Sequence, residues 1–217
     1  NRNIYLTGKA GTGKTTFLHK LKEVSPKRMV AVAPTGVAAI NAGGVTIHSF
    51  FQMPFGPILP ERLDAPSRPS EKNQFIRKFN KRKINIIRSL DLLVIDEISM
   101  VRADLLDGID NVLRKYKNRT LPFGGVQLLM IGDLQQLAPV VKDHEWNLLR
   151  RYYETVFFFS SKAFQQSESI SIELKHIYRQ QDNKFIKILN EIREDKLSKE
   201  SITELQKRYK KDYLPSK

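Results

Sequence analysis

The sequence predicts an α/β domain, a mostly parallel β-sheet flanked by helices on both faces. Three observations carry this. Short, almost continuously apolar runs recur along the chain, which is how strands read when both faces of a sheet are covered. Helix-compatible stretches separate those runs, as crossovers between parallel strands require. The 217 residues, 41% of them hydrophobic, can bury a substantial core in one large domain or two small ones.

In chain order, Asn3-Ile4-Tyr5-Leu6 is a short β-prone run, and a glycine-rich loop follows it over residues 8–13. Residues 15–23 are helix-compatible, and residues 28–33 form a second apolar strand. Further buried-type strands are expected at residues 92–95, 126–131 and 155–158. Pro54, Pro57, Pro60, Pro66 and Pro69 punctuate residues 53–70, which read as a loop leaving the sheet because strands resume afterwards. Residues 75–88 form a basic, helix-compatible segment. Two amphipathic helices, residues 182–193 and 198–210, close the chain, the first aligning Phe185, Ile188, Leu189 and Ile192 on one face.

Composition narrows the function classes. The formal net charge of +14 favours a polyanionic partner such as nucleic acid, with a merely soluble basic surface as the alternative. The absence of cysteine excludes disulfides, thiolate metal sites and cysteine nucleophiles. No apolar stretch approaches a membrane span. Asn1 is not a methionine and the first strand begins at once, so the chain is expected to be a fragment or trimmed form.

Three segments carry chemistry. Gly8-x-x-x-x-Gly13-Lys14-Thr15, after a strand and before a helix, has the form of a phosphate-binding loop. Its glycines let backbone N–H groups turn inward around phosphates, and the helix N-terminus adds partial positive charge. Gly8, Ala10, Gly11, Thr12, Gly13, Lys14, Thr15 and Thr16 are therefore expected to hold ATP, with Lys14 at the β- and γ-phosphates and the Thr15 hydroxyl on Mg²⁺. The second segment, Leu92-Leu93-Val94-Ile95-Asp96-Glu97, is an apolar strand ending in two carboxylates. Asp96 suits Mg²⁺ through its water shell, and Glu97 suits orienting and deprotonating an attacking water. The third, residues 132–140, again follows an apolar strand and places Gln136 where a γ-phosphate sensor belongs; a plain turn explains its Gly-Asp and Pro residues equally well.

Together with Ala33-Pro34-Thr35-Gly36-Val37-Ala38-Ala39, these segments resemble superfamily-one helicases. The match is closest to the petite-integration-frequency (PIF) family of 5′→3′ DNA helicases, relatives of the RecD type. Thr46-Ile47-His48-Ser49-Phe50-Phe51 and residues 99–128 fit the same family, and the likeness runs over nearly the whole chain.

The resemblance implies a RecA-like P-loop NTPase domain over residues 1–195, with residues 196–217 a terminal helix and the start of a linker to a second motor domain. It implies a monomer that hydrolyses ATP with Mg²⁺ to move on single-stranded DNA and open duplex, forked or structured DNA in genome maintenance. No membrane role is implied. An intracellular location follows, cytoplasmic for a bacterial protein and nuclear or mitochondrial for a eukaryotic one. Pro34, Thr35, Gly36, Thr46, His48, Ser49 and Phe50 would line the single-strand track, although His48, Phe50 and Phe51 also read as core packing. Arg179, in Leu174-Lys175-His176-Ile177-Tyr178-Arg179-Gln180, would reach the γ-phosphate. The basic run at residues 77–83 suits phosphate contacts or a solvated helix face, and residues 207–211 suit the linker. Two departures stand out: Ala138 replaces a common proline, and the family's upstream adenine-contacting glutamine segment is absent.

Overall fold

The computed structural model describes residues 2–60, 79–178 and 182–211. Their sheet is built from β1 (Asn3–Gly8), β2 (Met29–Ala33), β3 (Val45–Thr46), β4 (Leu92–Ile95), β5 (Gln127–Gly132) and β6 (Ser169–Leu174). Every pairing is parallel, and the spatial order is β3-β2-β4-β5-β1-β6. Because all strands run the same way, all their C-terminal ends open onto one edge.

Strand alternation sorts the core. On β4, Leu93 and Ile95 face one layer while Leu92 and Val94 face the other, and on β5 Leu128 and Met130 oppose Leu129 and Ile131 in the same manner. The larger layer packs α3 (Ile47–Phe51), α4 (Lys81–Ser89) and α5 (Ala103–Tyr116) through Phe51, Ile87, Leu106, Ile109 and Leu113. The smaller layer centres on Leu18 of α1 (Lys14–Val24). Each such fully buried aliphatic side chain contributes roughly 1.5–3 kcal/mol. The remaining α-helices among the described residues are α2 (Gly36–Asn41), α6 (Asp143–Leu149), α7 (Lys162–Gln165), α8 (Asn183–Arg193) and α9 (Lys199–Gln206).

Short polar side chains mark the helix starts. Asn80 caps α4, Thr35 caps α2, Thr46 caps α3 and Asp182 caps α8. Buried carboxylates on α5 tie irregular segments to the core. Asp104 accepts from Arg102 and from the Ile58 backbone, while Asp107 accepts from the Tyr153 hydroxyl (2.8 Å), Ser161 Oγ (2.5 Å) and the Ala163 N–H (3.0 Å).

Three expectations need correction. Residues 155–158 are not a sheet strand: Phe157 makes one antiparallel bridge to Arg102, and Phe158–Ser160 form a 3₁₀ turn. Consecutive phenylalanines mimic a buried strand, yet here Phe158 enters the core while Phe157 stacks on Phe159 at 5.5 Å. The sixth strand is Ser169–Leu174, which pairs only with β1 and leaves most of its side chains exposed; its alternating serines gave no continuous apolar run. The last helix is shorter than residues 198–210, ending at Gln206. The helix predicted at 75–88 runs over Lys81–Ser89 among the described residues; residues 75–78, with Arg77 and Lys78, and Pro66 and Pro69 of the preceding loop lie outside them.

Candidate functional site

The site grows from the end of β1. Gly8 is held where a Cβ would lie 2.6 Å from the Leu174 carbonyl and 2.8 Å from Thr12 Oγ1, so only glycine fits between the loop and β6. Gly13, at φ +87°, is the left-handed residue that swings the chain into α1. Lys14 follows as the first residue of α1, and its Nζ donates to the carbonyls of Gly8 (2.5 Å) and Lys9 (3.1 Å). The ammonium is folded over its own loop. Burial pushes its pKa down, opposed by the nearby carboxylates of Asp133, Glu97 and Asp96.

Two adjoining clefts open over this loop. The first, roughly 330 Å³, brings Lys14, Thr15, Glu97 and Gln136 together above Ala10, Gly11, Thr12, Gly13 and Thr16. The second, roughly 240 Å³, joins Thr15 and Asp96 to Thr35, with Glu97 and Gln136 again in its wall. Three strand ends thus meet: β1 gives the lysine and threonine, β4 the two carboxylates, β5 the glutamine. Gly8 lies beneath the loop rather than in the wall.

Glu97 carries backbone strain. Its φ of +51° and ψ of 46° lie in the left-handed region, an uncommon place for a side-chain-bearing residue and one that concentrates at functional sites. Its N–H donates to Asp96 Oδ1 at 3.0 Å. Burial pushes both carboxyls up; for Glu97 the Asp96 charge adds to this, and Lys14 opposes it. Burial thus works against charge on both groups. Thr15 and Asp96 supply oxygen donors only, which suits Mg²⁺, an ion held by one or two carboxylates plus phosphate oxygens.

Sequence reasoning missed several wall residues. The Tyr178 N–H donates to the Gly11 carbonyl (2.8 Å), and its exposed ring borders the first cleft. Asn41, Met100 and Leu137 line the second; Met100 and Leu137 fall inside the marked segments, where no role singles them out, and no motif marks Asn41. Asp133 lies within residues 132–140, but its partner Arg193 is 60 residues away, and no local spacing points to it. Arg179 lies outside the described residues.

The second residue set occupies the same edge, over β2 and β3. Pro34, Thr35 and Gly36 follow β2, and Thr46, His48 and Ser49 surround the start of α3. Thr35 and Thr46 accept from the Ala38 and Ser49 N–H groups, which leaves each hydroxyl proton free to donate outward. The half-buried His48 ring stacks on Phe55 (5.0 Å between centroids, 15° between planes), and Phe55 is 91% exposed. Burial, then the charge of Arg102, pushes the His48 pKa down, favouring a neutral ring. Phe50 is corrected to core: it is 5% exposed, packed edge-on to Phe51 and covered by Lys83 Nζ at 3.7 Å, so no base reaches it here. Phe51 is core as well, at 1% exposure.

Residues 1–203 match the family of PIF1-like helicases. The chain is 39% identical to the Saccharomyces cerevisiae ATP-dependent DNA helicase PIF1 over 94% of its own length and 23% of the relative's. With the human ATP-dependent DNA helicase PIF1 the identity is 35%, over 94% of this chain and 29% of that one. It is also similar to the crystal structure of Bacteroides Pif1 bound to single-stranded DNA, at TM-score 0.89 and 43% identity, covering 100% of this chain and 48% of that one. The Bacteroides Pif1 complex with ADP-AlF3 and single-stranded DNA gives TM-score 0.88 and 43% identity, over 99% of this chain and 48% of that one. The chain thus spans about a quarter of the curated relatives and about half of the solved structures it matches.

Proposed function

The chain belongs to the PIF1-like helicase family, and from that premise we propose that it is the first motor domain of an ATP-dependent 5′→3′ DNA helicase. The observation that carries the proposal is the convergence of Lys14, Thr15, Glu97 and Gln136 in one cleft at the C-terminal edge of the sheet, with Thr35 in the adjoining wall. Ligands of open α/β sheets bind at that edge.

In the proposed cycle Lys14 leaves the Gly8 and Lys9 carbonyls for the β- and γ-phosphates, exchanging two neutral acceptors for charged ones. The loop N–H groups and the start of α1 hold the phosphate chain. Thr15 and Asp96 would hold Mg²⁺, which would supply positive charge against the phosphates. Glu97 orients a water and takes its proton as the water attacks the γ-phosphorus and the ADP oxygen leaves. Gln136 hydrogen-bonds the γ-phosphate and reports its loss to the β5 loop. Arg179 adds charge stabilisation, and a second motor domain of the same polypeptide completes the cleft. Pro34, Thr35, Gly36, Thr46, His48 and Ser49 hold a single strand, duplex or forked DNA being the substrate ahead of it.

Thr35 sits in both halves of this scheme. It caps α2, stands in the carboxylate cleft and belongs to the strand-facing set, so loss of the γ-phosphate moves the DNA grip with only one short helix between them. The test is unwinding by the intact protein of two duplexes, one with a 5′ single-stranded tail and one with a 3′ tail. Opening of the 5′-tailed duplex alone is expected, ATP-dependent and lost in Lys14→Ala. Preference for the 3′ tail overturns the direction; no DNA unwinding at all overturns the motor.

A further inference from the structure

Helix α8 touches both nucleotide loops from outside the cleft. Arg193, in its last turn, meets Asp133 fork to fork, with Nη1 on Oδ2 at 2.5 Å and Nη2 on Oδ1 at 2.8 Å. Its Nε also donates to Gln135 Oε1. Asp133 has almost no exposed side-chain surface; its Oδ1 also accepts from the Gln135 N–H at 3.1 Å, and its Oδ2 from Gln136 Nε2 at 3.2 Å. One turn along, Lys9 of the phosphate loop donates to Asn190 Oδ1 at 2.7 Å and lies 3.7 Å from Glu194 Oε1. A single helix face therefore grips the loop after β1 and the loop after β5, two of the three that build the cleft.

We propose that Arg193 is a positioning residue for the γ-phosphate response: it fixes Asp133, which in turn aims the Gln136 amide. This rests on the reading of Gln136 as the γ-phosphate reporter. The physical reason is economy of motion. An exposed glutamine samples many rotamers, and among the described residues its side chain hydrogen-bonds an oxygen that Arg193 holds still. A bidentate guanidinium–carboxylate pair fixes direction as well as distance, which a lysine ammonium cannot reproduce. Arg193 also offsets a buried charge that otherwise draws on Lys14. Asp133 is the foremost carboxylate raising the Lys14 pKa, and an unpaired Asp133 would compete with phosphate for that ammonium.

The account separates Arg193 from a merely structural residue. Arg193→Lys keeps a cation over Asp133 and removes only the fork and the Gln135 contact. In the intact protein, DNA-stimulated ATP hydrolysis and binding of a fluorescent ADP analogue are measured for Arg193→Lys, Gln136→Ala and the double variant. The expected result is a loss of about 10-fold or more in kcat for Arg193→Lys. ADP affinity stays within about twofold, and in the Gln136→Ala background the lysine adds less than about twofold. Effects that multiply in the double variant, an unchanged kcat for Arg193→Lys, or ADP affinity falling in step with kcat each overturn the inference alone. An unchanged kcat for Gln136→Ala overturns the reading of Gln136 and the inference with it. Should Arg193→Lys fail to fold, Asp133→Asn with Arg193 retained reads the same coupling: the same nonadditivity with Gln136→Ala is expected, and multiplied effects overturn it.

Discussion

Glu97 concentrates the conflict between stability and function. Its backbone is left-handed, its carboxyl is half-buried, and it follows directly after Asp96. Both carboxyls have folded pKa values above their ordinary ones, so the sign is fixed. Their stabilising contribution is complete below the unfolded values, near 4, and is lost as pH rises through the raised folded values. At neutral pH the pair therefore strains the nucleotide-free protein. Glu97→Gln removes one of the two charges. We expect its nucleotide-free Tm at pH 7 to rise by about 1–4 °C, for a relief on the order of 0.5–1 kcal/mol. The gain should fade toward pH 4, and thermal denaturation across pH checks it. In the proposed cycle the same shift bears on catalysis, because a general base must be unprotonated. The acid limb of kcat/KM, which reports the free enzyme, should fall above the usual glutamate value of about 4.3. A limb at or below that value would remove Glu97 as the base.

At the scale of elements, parallel strands gather loops that are remote in sequence, and α5 holds the layer beneath them. Asp107 is its fixed point, accepting from Tyr153, Ser161, Lys162 and Ala163. Removing the carboxylate strands several buried donors at about 1–3 kcal/mol each, so Asp107→Ala should cost on the order of 3–5 kcal/mol. Urea unfolding monitored by circular dichroism checks this, and a cost below about 1 kcal/mol would show that water replaces the carboxylate. Legibility in the sequence followed this same division. The phosphate loop, β4 and β5 were readable because their glycines and apolar runs answer to local geometry. Strand β6 was not, since Ser169–Leu174 at the sheet edge alternates serine with isoleucine and needs no continuous apolar run. The Phe157–Phe159 run misled in the opposite direction, its rings packing on a 3₁₀ turn. Among cleft residues, the segments that hold Lys14, Asp96, Glu97 and Gln136 were legible from motif spacing, while their roles belong to the proposed cycle. Arg193 and Tyr178 were not, because only tertiary packing brings them to the loops.

For the whole molecule, topology places two residue sets along one edge: β1, β4 and β5 carry the set proposed for nucleotide, β2 and β3 the set proposed for single-stranded DNA. The charge of +14 suits a polyanion lying along that edge. Affinity for single-stranded DNA should fall with salt at about 0.7 log units per log unit of salt for each phosphate contacted. Fluorescence anisotropy of a labelled oligonucleotide across a salt series gives that slope, and a flat response would exclude phosphate contacts as the source of binding. The central claim is that the cleft is the fuel site of a DNA motor, not that of a free-standing ATPase or a vestigial one. Its most direct test is steady-state ATP hydrolysis by the intact protein with and without single-stranded DNA, for the native sequence and for Glu97→Gln. DNA should stimulate the native protein, and Glu97→Gln should lower the stimulated rate by about 10²–10⁴-fold while DNA binding persists. Hydrolysis indifferent to DNA, or turnover unchanged in Glu97→Gln, would contradict it.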